Sequence, residues 1–235
     1  VTRPYLIDVF SGGGGAARGY QRAGFHVLGI DSRPIRGYAG DLFVQADWED
    51  GLWDVWQMVR STGVPYAIHA SPPCQSYSTS VVSDGRWDRT AGRHEPRLIG
   101  AVRSRLQETG APWVIENVVG ARDELRGPLM LCGTMFGLVI ARHRLFETSW
   151  RIGAFDTPRH PVCTADAKAH AIARGWDPRD MAITGKGRRA GTGDRWREVM
   201  GIDWPMTQHN VREAIPPAYG EWMGHQLAAQ LRRGQ

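Results

Sequence analysis

The stretch "YLIDVFSGGGGAARGYQRAGFHVLGID", residues 5–31, decides the fold. Tyr5 to Phe10 is a short apolar run of strand length that breaks into four consecutive glycines. Small or apolar residues at Ala16, Ala17, Tyr20 and Ala23 suit a short helix that Gly24 closes, and His26 to Asp31 supplies a second strand. Strand, glycine turn, helix and strand in that order open a βαβ unit, which predicts an α/β domain built on a parallel sheet.

Gly12, Gly14 and Ala17 fit G-x-G-x-x-A behind the first strand, and Asp31 ends the second strand about twenty residues later. Glycines let the backbone approach a cofactor closely, and an acid at that position can accept hydrogen bonds from ribose hydroxyls. Both dinucleotides and S-adenosylmethionine use such a loop. A phosphate-loop NTPase does not fit, because the Lys-Ser/Thr ending is missing.

Working outward, a helical pattern at Leu52, Val55, Trp56 and Val59 is followed by a strand "YAIHAS". At its carboxyl end comes "SPPCQSYS", residues 71–78. Ligands of open α/β sheets bind outside those ends, so Cys74 stands where chemistry is expected. Residues 79–96 read as a long, polar, basic loop of the kind that serves as a lid or binding segment. A helix over Leu98 to Thr109, a strand "WVIENV" and two strands within 129–147 are predicted next. From 150 to 204 the periodicity weakens while Gly, Pro and Arg accumulate, and "PPAYGEWMGHQLAAQLRR" closes the chain as a helix. The expected organisation is a catalytic and cofactor-binding unit over 1–149, a small recognition lobe over 150–204, and a returning segment over 205–235.

The 235 residues carry a formal charge of +5, and Lys168 and Lys186 are the only lysines. Arginine offers a planar fork to phosphates and base edges, so a polyanionic partner is expected, although a GC-rich genome would also enrich arginine. Cys74, Cys132 and Cys163 are widely spaced and show no metal-ligand pairing, so no metal is expected. No apolar signal segment or membrane-spanning run is visible, and a cytoplasmic, reducing setting without membrane contact is the expectation.

A cysteine that attacks C6 of a pyrimidine faces a poor electrophile. It needs an acid near N3 and a donor at O2. Glu116 of "VIENV" lies at the end of an apolar strand, where burial would raise its pKa, and Asn117 can orient the neighbouring loop. Arg142 and Arg144 of "ARHRLF" alternate and would share one face of a strand.

Together, and in this order, "DVFSGGGGAARGYQRAGF", "SPPCQSYS", "IENV" and "RHRLF" resemble the DNA cytosine-5 methyltransferase family, over most of residues 5–147. The resemblance implies a Rossmann-like S-adenosylmethionine-dependent methyltransferase sheet with a small, irregular target-recognition lobe. It places Phe10, Ser11, Gly12 and Gly14 in the first cofactor motif, Asp31 on the ribose, Asp47 on the adenine amine, and Ser32, Trp48 and Pro72 beside them. Cys74 falls on the nucleophile, Glu116 on the acid, and Arg142 and Arg144 on the paired arginines. Gln75, Ser78, Arg86, Arg89, Arg93, Lys186, Arg188 and Arg189 become the expected contacts to double-stranded DNA, with the protein acting as a monomer. The sequence departs from the family at Ile140, where a glutamine is usual, and at Arg212 and Glu213, where the closing motif has Gly-Asn. The alternatives are an NAD-dependent oxidoreductase using the same glycine loop, a catalytically silent DNA-binding relative, and a methyltransferase acting on a free pyrimidine nucleotide.

Overall fold

A computed structural model describes residues 2–77, 96–153, 156–160, 168–169, 171–175 and 193–233. Its elements are β1 (Tyr5–Val9), α1 (Gly15–Arg22), β2 (His26–Asp31), β3 (Leu42–Gln45), α2 (Trp48–Ser61), β4 (Tyr66–Ala70), α3 (Ile99–Glu108), β5 (Trp113–Asn117), β6 (Leu129–Leu131), β7 (Arg144–Thr148), α4 (Gly193–Met200), α5 (Gln208–Glu213) and α6 (Pro217–Arg233). The seven strands form one mixed sheet in the order β3-β2-β1-β4-β5-β7-β6. Strands β1 to β5 run parallel, while β7 is antiparallel to both β5 and β6. The strand order reverses between β1 and β4, as in Rossmann-like sheets, so the crevice above those two strands is the natural ligand site.

The central strands bury both faces, which is why they read as nearly continuous apolar runs. Ile7 and Val9 of β1 face one layer, with Leu52 and Val55 of α2 and Ile99 and Val102 of α3. Leu6 faces the other, with Tyr20 of α1 and Tyr219 and Met223 of α6. Helices α1 and α6 pack without room for a side chain between them: a Cβ on Gly19 would lie 2.1 Å from the Pro217 carbonyl oxygen. Pro217 opens α6, where its missing N–H costs no helical hydrogen bond. In α2 the four apolar positions read from the sequence are all buried, and the Asp47 side chain caps the helix by accepting from the Glu49 N–H at 3.0 Å.

Three elements were not anticipated from periodicity. Strand β3 is a four-residue edge with Leu42 half exposed, too short and too open to show alternation. Helix α4 lies where the sequence reads as irregular, and the short α5 lies in the returning segment ahead of the predicted closing helix. In α4 the buried residues Trp196, Val199 and Met200 fall at i, i+3 and i+4, a face hidden by the surrounding Gly and Arg. These side chains join Val139, Ile140, Trp204 and Val211 in a third apolar cluster. Val211, beyond the 204/205 boundary drawn from composition, packs in the same cluster as Trp196 and Trp204. Among the described residues, no helix is long and apolar enough to cross a membrane.

One buried ion pair fastens α3 to the antiparallel edge. Arg103 donates from Nε and Nη2 to the two carboxylate oxygens of Glu147 at 2.6 and 2.7 Å, and the Arg126 N–H donates to Glu147 Oε2 at 2.8 Å. Arg103→Met would strand a buried carboxylate, so it is expected to cost about 3 kcal/mol. In a chain of this size that corresponds to a melting point lower by roughly 6–12 °C, read by circular dichroism. Adding Glu147→Leu should recover most of the loss; a single variant that melts like the wild type would show that the pair does not stabilise the fold.

Candidate functional site

Two loops leave the adjacent ends of β1 and β4 and build the site. The first begins at Phe10, which adopts a left-handed φ of 60° and stacks on Trp48 with ring centroids 5.8 Å apart. A non-glycine residue in that conformation carries strain of order 1 kcal/mol, held here by the stack and by the following bonds. The Ser11 N–H donates to the Ile30 carbonyl, and the Gly12 N–H to Asp31 Oδ2, each at 3.0 Å, so the glycine loop is pinned to the end of β2. Gly14 turns with φ 84°, where a Cβ would stand 2.8 Å from the Ala39 nitrogen.

The second loop begins where the Ser71 N–H donates to the Val9 carbonyl at 3.1 Å. Asn117 Nδ2, from the end of β5, donates to the Pro72 carbonyl at 3.0 Å, and the Tyr77 N–H closes a turn on the Cys74 carbonyl, also at 3.0 Å. Asn117 thus orients the loop that carries Cys74, as its place in the sequence suggests. Behind the loop, His69 bridges the Tyr20 hydroxyl and Ser71 Oγ, both at 2.9 Å. Burial pulls the His69 pKa down to about 3, so the ring stays neutral and acts as a fixed spacer.

Between the loops lies a cavity of ≈ 340 Å³. Phe10, Ser11, Gly12, Asp31 and Ser32 line one side, and Pro72, Cys74, Gln75, Glu116 and Arg144 line the other. Glu116 is buried at the end of β5, and its Oε1 lies 3.1 Å from Arg144 Nε. The pair is close, yet among the described residues no donor is aligned with Oε1 for a hydrogen bond. Burial raises the Glu116 pKa against the opposing pull of Arg144 and a Ser71 hydrogen bond, so the group keeps a proton more readily than an exposed glutamate.

Four carboxyl groups line this space, Asp8, Asp31, Glu116 and Glu213, against the two guanidinium groups of Arg33 and Arg144. Arg33 spans the mouth: its Nε and backbone N–H donate to Asp31 Oδ1 at 3.2 and 3.0 Å, and its Nη1 donates to Glu213 Oε2 at 3.0 Å. Burial lifts Asp8 to a pKa of about 8, and the Tyr38 hydroxyl donates to its Oδ2 at 3.3 Å. At neutral pH Asp8 is therefore mostly protonated.

Not every residue singled out from the sequence reaches the cavity. Arg142 precedes β7 instead of alternating with Arg144 along it. Its Nη2 donates to the Arg212 carbonyl at 2.5 Å, and its Nε and Nη2 to the Ala214 carbonyl at 3.1 and 2.9 Å, while its own carbonyl accepts from the Tyr219 hydroxyl at 2.5 Å. With Nε and Nη2 turned to these carbonyls, Arg142 supports the wall formed by Ala214 and Ile215 and is not itself among the residues that line the cavity. Asp47 stands outside the cavity lining, exposed, as the cap of α2. Gly14 supports the loop from behind. Ile140 is packed in the third apolar cluster. Ser78, Arg86, Arg89, Arg93, Lys186, Arg188 and Arg189 lie outside the described residues.

Asp8 and Arg33 line the site without having been singled out from the sequence, Ser71 was given no role within its motif, and Glu213 was marked only as a departure from the closing motif. Asp8 hides in a strand pattern, and Arg33 spans the mouth by linking Asp31 to Glu213, which lies 180 residues away in the chain. The Arg212-Glu213 departure has a structural account: Glu213 pairs with Arg33, and the Arg212 guanidinium lies over the Trp196 ring at 5.2 Å. Comparison of the chain with protein-family models and with curated proteins finds no match.

The Asp8 shift gives a pH test. Its folded pKa of about 8 exceeds the unfolded value of 3.8, so folded Asp8 retains a proton that the unfolded chain releases. Its contribution to stability is fully present below 3.8 and is lost as pH rises toward about 8. Asp8→Asn removes that loss, so the variant should gain melting temperature relative to the wild type more at about pH 8 than at about pH 5. An equal difference at both pH values would contradict a protonated Asp8.

Proposed function

We propose that the protein methylates C5 of cytosine in double-stranded DNA, as a member of the DNA cytosine-5 methyltransferase family. The observation that carries this reading is the meeting of Cys74, Glu116 and Arg144, from three separate segments, in the cavity lined by the glycine loop and Asp31. Each residue alone has an ordinary structural explanation; their convergence beside a cofactor-type loop does not.

The lining also fits S-adenosylmethionine better than a dinucleotide. Asp31 and Glu213 offer acceptors to a cofactor's hydroxyl and amino groups, whereas a pyrophosphate would find the Gly12 N–H already given to Asp31. Asp31 retains acceptor capacity for ribose hydroxyls, since a carboxylate has about four lone-pair sites. Bound S-adenosylmethionine supplies an electrophilic methyl group for C5.

On this reading the Cys74 thiolate adds to C6 of the flipped-out cytosine, and the new S–C bond pushes electron density toward C5. Glu116, whose burial favours the protonated form, donates to N3 through Oε1, which among the described residues accepts no aligned hydrogen bond. Arg144 steadies Glu116 with Nε and the His143 carbonyl with Nη1 at 2.9 Å, leaving Nη2 for the base oxygen O2. After C5 is methylated, loss of its proton to water restores the double bond, the S–C6 electron pair returns to Cys74, and the N3 proton returns to Glu116.

The decisive experiment is nucleoside mass analysis of duplex DNA incubated with the protein and S-adenosylmethionine. A methyl-sized gain on deoxycytidine is expected, with none for Cys74→Ala. Glu116→Gln should slow turnover by about 10²-fold, the scale of lost general acid catalysis. Covalent capture of DNA containing 5-fluorocytosine should require Cys74. Thermal protection by NAD instead of S-adenosylmethionine would favour the oxidoreductase, product only on free nucleotide would move the substrate, and cofactor protection without any product would leave a silent DNA-binding relative.

A further inference from the structure

A second cluster of chemistry-bearing side chains lies behind the Arg144 strand, outside the cavity. The β6–β7 ladder pairs Leu131 with Arg144, so the next residue along each strand brings Cys132 opposite His143. His160 arrives from the segment that follows β7. The Cys132 Sγ and a ring nitrogen from each histidine all lie within 4.8 Å of one another. The two Nε2 atoms are 3.3 Å apart. Tetrahedral bonds of about 2.0–2.1 Å to one zinc ion place two nitrogen ligands roughly 3.3–3.4 Å apart, so the imidazoles already stand at that spacing.

We propose that Cys132, His143 and His160 bind a zinc-class divalent ion, with a water molecule completing a tetrahedral set. Mixed thiolate and imidazole ligands select zinc over magnesium or calcium. The surroundings prepare the thiolate: its sulfur accepts from the Met135 N–H and lies 3.3 Å from Thr134 Oγ1. Donors of this kind stabilise a ligating sulfur from behind. Cys132 is fully buried, whereas His160 is exposed and gives an ion a route from solvent. Spacing among the cysteines alone hides the group, because the partners of Cys132 are histidines brought in by strand register and by the following segment. An ion here would fasten the segment at His160 to the β6–β7 edge, one residue from Arg144.

Cobalt(II) titration of the full-length, chelator-treated protein tests the site directly. The expected result is a single site per chain with the strong visible bands of tetrahedral cobalt and a thiolate charge-transfer band, both reversed by zinc. Cys132→Ser should abolish the charge-transfer band. His160→Ala, an exposed position whose loss should leave the fold intact by circular dichroism, should weaken cobalt binding at least about tenfold. Absence of tetrahedral bands in the wild type, or wild-type affinity in His160→Ala, would overturn the proposal. None of these readings depends on methyltransferase activity.

Discussion

The hydrogen bond from the Ser71 N–H to the Val9 carbonyl, 3.1 Å long, is the last rung between the two central parallel strands, and the site depends on it. Because β1 and β4 run the same way, the glycine loop and the Cys74 loop leave the sheet on the same side and from adjacent rungs. The helix after β1 returns over one face to β2, while α2 returns over the other, so the space above the two strand ends stays open. Bonds from neighbouring strands then fix both loops: Asp31 at the end of β2 holds Gly12, and Asn117 at the end of β5 holds Pro72. Four parallel strands in unbroken register thus bring a strained loop, a thiol and a carboxyl group to one cavity.

That arrangement holds several ionisable groups out of water. Asp8 and Glu116 are raised, while His69 and Arg142 are lowered to about 3 and about 9, and burial is the largest cause in each case. Such groups cost stability unless the surrounding fold compensates. The compensation lies in the two apolar layers, which reach the cavity only at their edge through residues such as Ala16 and Ile215, and in the Arg103–Glu147 pair, which lies outside its lining. A sheet that buries its central strands on both faces can tolerate a polar crevice at one end. This division of labour explains why the conformational strain at Phe10 and the perturbed carboxyls occur together at the same edge.

Legibility from the sequence followed the range of the interactions involved. The βαβ opening was readable because its signals are local: an apolar run, a glycine turn, a helix face and a strand within residues 5–31. Cys74 and Glu116 were readable because each sits at the carboxyl end of a recognisable buried strand. Arg142 misled, since alternation with Arg144 presumes a strand that begins two residues earlier than it does. Its actual partners, the Arg212 and Ala214 carbonyls, lie about seventy positions away and leave no local trace. The same holds for Arg33 with Glu213. Helix α4 was missed for the opposite reason: its pattern is local, but Trp196, Val199 and Met200 are set among glycines and arginines that dilute the apolar period.

The third apolar cluster and the cavity share a wall, and this limits how independently either can move. Trp204 donates its indole N–H to the Gly13 carbonyl at 3.2 Å, so the third apolar cluster is bonded to the glycine loop itself. Met206 fills the space where a Gly13 side chain would stand, its Cε 2.8 Å from that Cβ position. On the opposite side Arg142 and Tyr219 clamp the 212–219 segment, and Arg33 ties Glu213 to Asp31. A displacement of α4 or α5 would therefore be felt at Gly13, Ala214 and Glu213 before it reached Cys74. In a closely packed interior such contacts shift between discrete arrangements instead of yielding gradually. A shift of the third apolar cluster is thereby coupled most directly to the glycine-loop side of the cavity, and only through it to the thiol.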